Sequence, residues 1–449
     1  VALPPSKRAL DYIWQRIANW ATAGNGVIEN PFTSGPVIID DPLTLYVETT
    51  GNDAGDGSLG APYRTIQAAL DFLSGFVVRA PVTVQVGVGE FDGFEVPALR
   101  IERGPQSLGS VYVSGTFVTV ASGTVTTAST GYVNDSAKNW TTDSLKFCFA
   151  RAATSTRYWP VHSNTATQFK IVSNISPDLG SSYEVMALGT TILGNRKYLS
   201  TGATAAIITS GFGHPTHVES NVVLNRLNIA VTGSVGVLAT GSVTATECIF
   251  DVSSATGNAI FAYGGDASIG TNRTIYKLTG ASAKGFSMSL GGQIAGLANA
   301  WFYGTGQAGQ VGILPYNSSA SMNVFTACLF ESLGVGVSVP ANCAVAPLNV
   351  MGTFISCTEA IKILSPVACM VGDSASNLPG WPFVSAGNGT LVKIGTGPIT
   401  VRISSAVPSD SATTEIDVNG ATSTLAAMRA LSPKVFPATP NVYGSYVYE

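Results

Sequence analysis

The chain has 449 residues, of which 11% are charged and 49 are glycine, and its net charge is −4. Ordinary soluble domains carry roughly 25% charge and about 7% glycine, so this surface must be built largely from Ser, Thr, Asn and Gly. The acidic balance and the absence of a Lys/Arg cluster along the sequence exclude a nucleic-acid partner held through its phosphates. Mean hydropathy is positive, yet no apolar run is long enough for a membrane-spanning helix. So few charges leave little to keep copies apart, which predicts an oligomer with apolar faces buried between subunits.

Leu10, Ile13, Trp14 and Ile17 follow helical spacing, with Ser6 available as N-cap. A helix this short is marginal alone, so its stripe, extended by Trp20, must rest on this chain, on a second copy or on a larger assembly. Val1 to Trp20 carries Lys7, Arg8 and Asp11 and lacks the apolar stretch of a secretory signal, so synthesis in a cytoplasm is expected. Residues 21–42, rich in Gly, Pro and Asn, read as an extended arm.

Leu45-Tyr46-Val47 reads as a short strand and Gly51 to Gly57 as a turn-rich loop. Tyr63 to Leu70 opens a helix with Ile66, Ala69, Leu70 and Leu73 on one face. The phrase Tyr46-Val47, Thr49-Thr50-Gly51-Asn52-Asp53, Asp56-Gly57, Pro62 and Thr65-Ile66-Gln67-Ala68-Ala69 resembles the opening of pectate-lyase-like, right-handed parallel β-helix proteins, bacteriophage tailspikes above all. The resemblance implies a helix that plugs the end of a solenoid whose apolar cross-section would otherwise meet water. It says little about chemistry, because such proteins include lyases, hydrolases and inert spikes.

Val82 to Val88 alternates and makes a first coil strand, and Ser110 to Gly115 a second. From Thr116 to Thr190 denser short strands, such as Phe117–Val120, Phe147–Ala150 and Phe169–Val172, predict an inserted β-domain. Beyond it, apolar segments recur around residues 227, 249, 275, 302, 329 and 355, in steps of 22, 26, 27, 27 and 26. A period of this length without helical spacing is that of a solenoid coil, which buries its apolar face only on its neighbours. After 399 the pattern changes: Glu415 to Gly420 reads as strand and turn, and Leu425, Met428 and Leu431 as a short helix. Phe436, Tyr443, Tyr446 and Tyr448 follow in a tail that needs a groove.

A β-helix that cuts polysaccharide needs paired carboxylates, or a metal with a basic residue. Alternation in Glu247-Cys248-Ile249-Phe250-Asp251 sends Glu247, Ile249 and Asp251 outward, and Glu331 takes the place of Asp251 three coils on. Asp251 and Glu331 with Trp301 and Tyr303 are the candidate glycan contacts; turn carboxylates and core aromatics are the plainer reading, as for Tyr263 and Tyr316. Glu359, Asp266 and Asp373 read as loop residues. His214 and His217 flank Pro215 without a third ligand, and Asp53 to Asp56 lacks calcium-loop spacing. Gly55 to Gly60 spells G-x-G-x-x-G, but Asp53 and Asp56 would repel a pyrophosphate and no βαβ unit follows. The six cysteines form no C-x-x-C pair, and Cys248, Cys328 and Cys357 fall in coil strands as small apolar groups. No catalytic residue, cofactor or metal is assigned.

The expected fold is all-β, a right-handed parallel β-helix with short N-terminal helices and an inserted small β-domain. Residues 1–42 form a helix and arm, 43–115 the opening coils with the capping helix, 116–190 the insert, 191–399 the main β-helix and 400–449 a C-terminal strand, helix and aromatic tail. The resemblance implies a bacteriophage virion protein, a tail spike or fibre or a capsid decoration. It would be a homotrimer, held to other virion proteins by its N-terminal region and able to meet host-surface polysaccharide. The first expectation is a non-enzymatic role, and the alternative a polysaccharide-degrading tailspike using outward carboxylates.

Overall fold

The computed structural model describes residues 37–448 apart from 98, 102, 105–106, 109, 130, 153–154, 156, 173–181, 195, 198–203, 210–221, 265–267, 290–292, 317–324, 327, 342, 344–347, 351, 365–367, 372–383, 395–398, 404–413, 419–420 and 424–443. The helices expected over the first twenty residues and around Leu425 to Leu431 lie outside the described residues.

Strands wind through three long parallel sheets, so the chain is a parallel β-helix. Face one carries Leu43–Val47, Pro81–Val86, Ser110–Ser114, Val222–Asn225, Val243–Thr246 and their successors. Face two runs from Gly89–Asp92 through Ile249–Val252 and Trp301–Tyr303 to Val384–Ala386. Face three includes Asn258–Tyr263, Lys284–Ser289, Val311–Pro315 and Val335–Val339. On face two the column of partners is residues 228, 249, 275, 301, 329 and 353, in steps of 21, 26, 26, 28 and 24. The sequence markers fall within two residues of this column. Parallel pairing continues past residue 399, where Gly444–Tyr448 lies beside Ile399–Ile403 as a further rung.

The interior of the coil is one apolar core. Phe250, Tyr276, Phe302, Phe330 and Phe354 stack inside face two with centroids 5.3, 4.4, 4.8 and 4.8 Å apart and planes within 6° of parallel. Those separations are the rung spacing of a sheet, which aligns one ring above the next. Opposite them, at one register position of face three, stand Gly236, Ala259, Gly285, Gly312, Gly336 and Ala360, leaving room for the rings. Burial pushes the thiols of Cys248, Cys328 and Cys357 up to about 12, as expected for inert core groups.

The helix Ile66–Leu73 closes one end, burying Ile66, Ala69, Leu70, Phe72 and Leu73. Its N-cap Thr65 accepts from the Ala68 N–H at 3.2 Å. Asp53 accepts from the Arg64 N–H and the Thr65 N–H, both at 2.9 Å, and from the Thr65 hydroxyl at 3.0 Å. This acidic loop therefore ties the strand to the cap. Gly57, at φ 77°, turns under Tyr63, whose ring a Cβ would meet at 2.5 Å. Asp53→Ala removes three charge-assisted bonds and should lower stability by about 2 kcal/mol in urea unfolding, with Asp53→Asn losing less. An unchanged midpoint in both variants would remove the role given to Asp53.

In most coils one left-handed residue turns face one into face two: Arg226, Glu247, Arg273 and Asn299, at φ 51 to 56°. In the second coil that corner holds the insert, a seven-stranded antiparallel sheet spanning Phe117 to Leu188. Its stem is fastened: the Gly189 N–H donates to Thr116 O at 2.8 Å, and the Thr190 hydroxyl accepts from the Thr116 N–H at 2.9 Å and donates to Gly87 O at 2.7 Å. The insert has its own core around Val161, Phe169 and Val185. Beside it, buried Asp135 accepts from the Tyr183 hydroxyl at 2.8 Å.

Candidate functional site

The insert lies over the outer side of face two. Phe149, Tyr158 and Val172 from the insert pack with Ile275, Trp301 and Leu329 from the solenoid in one cluster, flanked by Phe147, Ile249, Tyr303 and Ile355. The outward column Ile249, Ile275, Trp301 and Leu329 is apolar because it is an interface.

Two residues further along each strand runs a polar column, in which Asp251, Lys277, Tyr303 and Glu331 are successive partners. Three of the four candidate glycan contacts thus share one column, with Trp301 beside them. Trp301 is fully buried, its indole N–H donates to Glu331 Oε2 at 3.0 Å and its ring stacks on Phe147 at 5.0 Å, so neither group is open to a sugar. Tyr303 is half-buried, with the Lys146 ammonium 4.3 Å from its ring centroid. Asp251 pairs with Lys277 at 2.8 Å.

Glu331 also meets His162 Nε2 at 3.1 Å. Burial pushes its carboxyl upward, but the His162 hydrogen bond, the His162 and Lys146 charges and the Trp301 N–H outweigh that and hold it below the ordinary carboxyl value. A carboxyl more acidic in the folded state stabilises the fold above its unfolded value, and that contribution is lost as pH falls through the folded value. Melting temperatures of the parent chain should therefore exceed those of Glu331→Gln above about pH 5 and converge with them toward pH 3. A difference that stays constant across this range would show that packing, not ionisation, is what Glu331 supplies.

Glu247 departs from the alternation expected of it. It occupies a left-handed corner at φ 54° and is 3% exposed, because strand periodicity stops where the chain turns. Its Oε1 accepts from Arg273 Nε and from the Tyr158 N–H of the insert, both at 3.2 Å, and its Oε2 from Arg226 Nε at 3.1 Å. Sequence reasoning missed Glu247 in this role, along with His162, Lys146 and Lys277. His162 and Glu331 are 169 positions apart, and no local pattern links them.

The remaining candidates lie elsewhere. Tyr263 and Tyr316 pack about Phe261 on face three, and Glu359 pairs with Lys362 and Lys393 at 2.7 and 2.8 Å. His214, His217, Asp266 and Asp373 lie outside the described residues.

Geometry decides what the polar column can do. Asp251 and Glu331 stand three rungs apart, about 14 Å at the ~4.8 Å spacing of neighbouring strands. Retaining glycosidases need carboxyl groups about 5 Å apart and inverting ones about 6.5–9.5 Å. This pair is too wide for either.

No protein-family model and no curated protein sequence matches the chain. Solved structures similar to it include one described as a glycoside hydrolase, at 9% identity and a TM-score of 0.25, covering 84% of this chain and 94% of the other. A second is XylC in complex with xylose, at 9% identity and a TM-score of 0.32, covering 80% and 69%. A third is the tailspike protein gp49 from Pseudomonas phage LKA1, at 11% identity and a TM-score of 0.19, covering 79% and 74%. Likenesses this slight assign neither substrate nor mechanism.

Proposed function

We propose that the chain is a non-enzymatic structural component of a bacteriophage virion, a tail spike or fibre or a capsid decoration, in which the β-helix is a rigid shaft. On this reading it assembles as a homotrimer, is held to other virion proteins by residues 1–42 and meets host-surface polysaccharide. The observation that carries the non-enzymatic part is the spacing of its carboxylates: Asp251 and Glu331 are about 14 Å apart by rung count, and each already has a cationic or hydrogen-bonding partner. The opening motif from Tyr46 to Ala69 supports the virion assignment, and the low charge supports association of copies.

Incubation with capsular or O-antigen polysaccharide from candidate hosts should leave the chains at their original length. Depolymerisation that disappears in Asp251→Asn or Glu331→Gln would overturn the reading in favour of a degrading tailspike. Deleting residues 1–20 should abolish incorporation into particles while the solenoid stays folded, and gold-labelled antibody should find the parent chain on the virion surface.

A further inference from the structure

Arginines scattered along the sequence converge at the corner between faces one and two. Arg226 and Arg273 each engage Glu247 through Nε alone. No other acceptor is bound to either guanidinium among the described residues, so their Nη groups keep their donors. Arg157, exposed, precedes Tyr158, whose N–H is anchored on Glu247, and it has no carboxylate partner among the described residues.

The guanidinium planes are set by rings: Arg226 lies 5.0 Å from the centroid of Phe117 and 5.3 Å from that of Tyr158, and Arg273 lies 5.6 Å from that of Trp159. Arg226 and Arg273 thus flank one buried carboxylate, and Arg157 sits next to the residue whose N–H that carboxylate anchors, in a chain of net charge −4. Burial lowers the Arg273 guanidinium, and the charges of Arg157 and Arg226 push the same way against the opposing pull of Glu247. Positive charge here exceeds what the protein neutralises.

We infer that this corner is an oxyanion site, in which the Nη groups of Arg226 and Arg273 and the guanidinium of Arg157 hold a phosphate or carboxylate group of an anionic surface polymer. Planar forks with free N–H pairs fit such groups in bidentate fashion. Arg157 comes from the insert and the other two from the solenoid, so docking of the insert completes the site. The inference rests on the reading that the chain meets a host surface.

The full chain and its Arg157→Ala variant are tested by biolayer interferometry against poly(ribitol phosphate), hyaluronate and dextran, at low and physiological salt. Arg157 belongs to no packed cluster, so the variant should melt with the parent. At least one anionic polymer should bind, more weakly as salt rises, and dextran should not; Arg157→Ala should lose about tenfold in affinity. Binding to poly(ribitol phosphate) alone identifies phosphate as the group held, and to hyaluronate alone a carboxylate. No binding to either anionic polymer, equal binding to dextran, or undiminished binding by Arg157→Ala would each overturn the site. The virion role is decided separately, by labelling on particles.

Discussion

Glu247→Ala should lower the stability of the docked insert by about 3 kcal/mol, the cost of leaving the largely buried Arg273 guanidinium without its counterion. Arg273 has a side chain only 11% exposed and loses its carboxylate partner in this variant. The Tyr158 N–H loses its acceptor as well. Because the insert is joined to the solenoid through one fastened corner and one apolar interface, loosening should begin there. Urea unfolding should separate into two transitions, Trp301 fluorescence should shift to the red, and protease should cut first within residues 116–190.

The left-handed backbone strain that Glu247 already bears is kept by alanine and relieved only in Glu247→Gly. Glycine relieves the backbone but still removes the charge. If Glu247→Ala melts with the parent chain, the ion cluster is not what holds the insert; if Glu247→Gly melts above Glu247→Ala, the gap measures the backbone strain. If both variants fall together, the carboxylate holds the insert, and Glu247→Gln should lie between them and the parent.

How far the sequence reveals this protein depends on the range of the contacts. The coil period is legible because each coil repeats the same inward residues, such as Ile229, Phe250 and Tyr276, at a nearly constant separation. The capping helix is legible because Thr65 and the Ile66, Ala69, Leu70, Leu73 stripe are local. What covers face two is not. Trp301, Ile275 and Ile249 look like any outward apolar residues of a strand, and the insert that buries them ends at Leu188, 61 residues before Ile249 and 113 before Trp301. The corners were hidden as well: Arg226, Glu247 and Arg273 adopt positive φ, where Gly or Asn would have signalled a turn. At these positions side-chain bonds to Glu247, with its own backbone in the same conformation, accompany the strained geometry. Coil position picked out Asp251 and Glu331 and ring chemistry Trp301 and Tyr303; strand register then places Asp251, Tyr303 and Glu331 in one column but gives no sign of Lys146 or His162 above it.

Gly312→Val should strongly destabilise the solenoid core. A Cβ at this position would meet Gly336 O at 2.5 Å and Phe330 Cδ1 at 2.8 Å. The first is backbone in the next rung, and the second is a ring held between Phe302 and Phe354 at 4.8 Å on either side. Neither neighbour moves without disturbing the column, so the cost should reach or exceed the upper end of the ~1–3 kcal/mol typical of overpacking. Phe330→Ala, which leaves a cavity between two rings, should cost about 3–5 kcal/mol. The pair is informative because the two faults are complementary: one adds volume where the other removes it. In Gly312→Val with Phe330→Ala, the valine can enter the space vacated by the ring, and the double variant should be more stable than the sum of the single losses predicts. Strict additivity in urea unfolding would mean that ring and glycine do not face each other across the coil, and the packing of face two on face three would have to be redrawn.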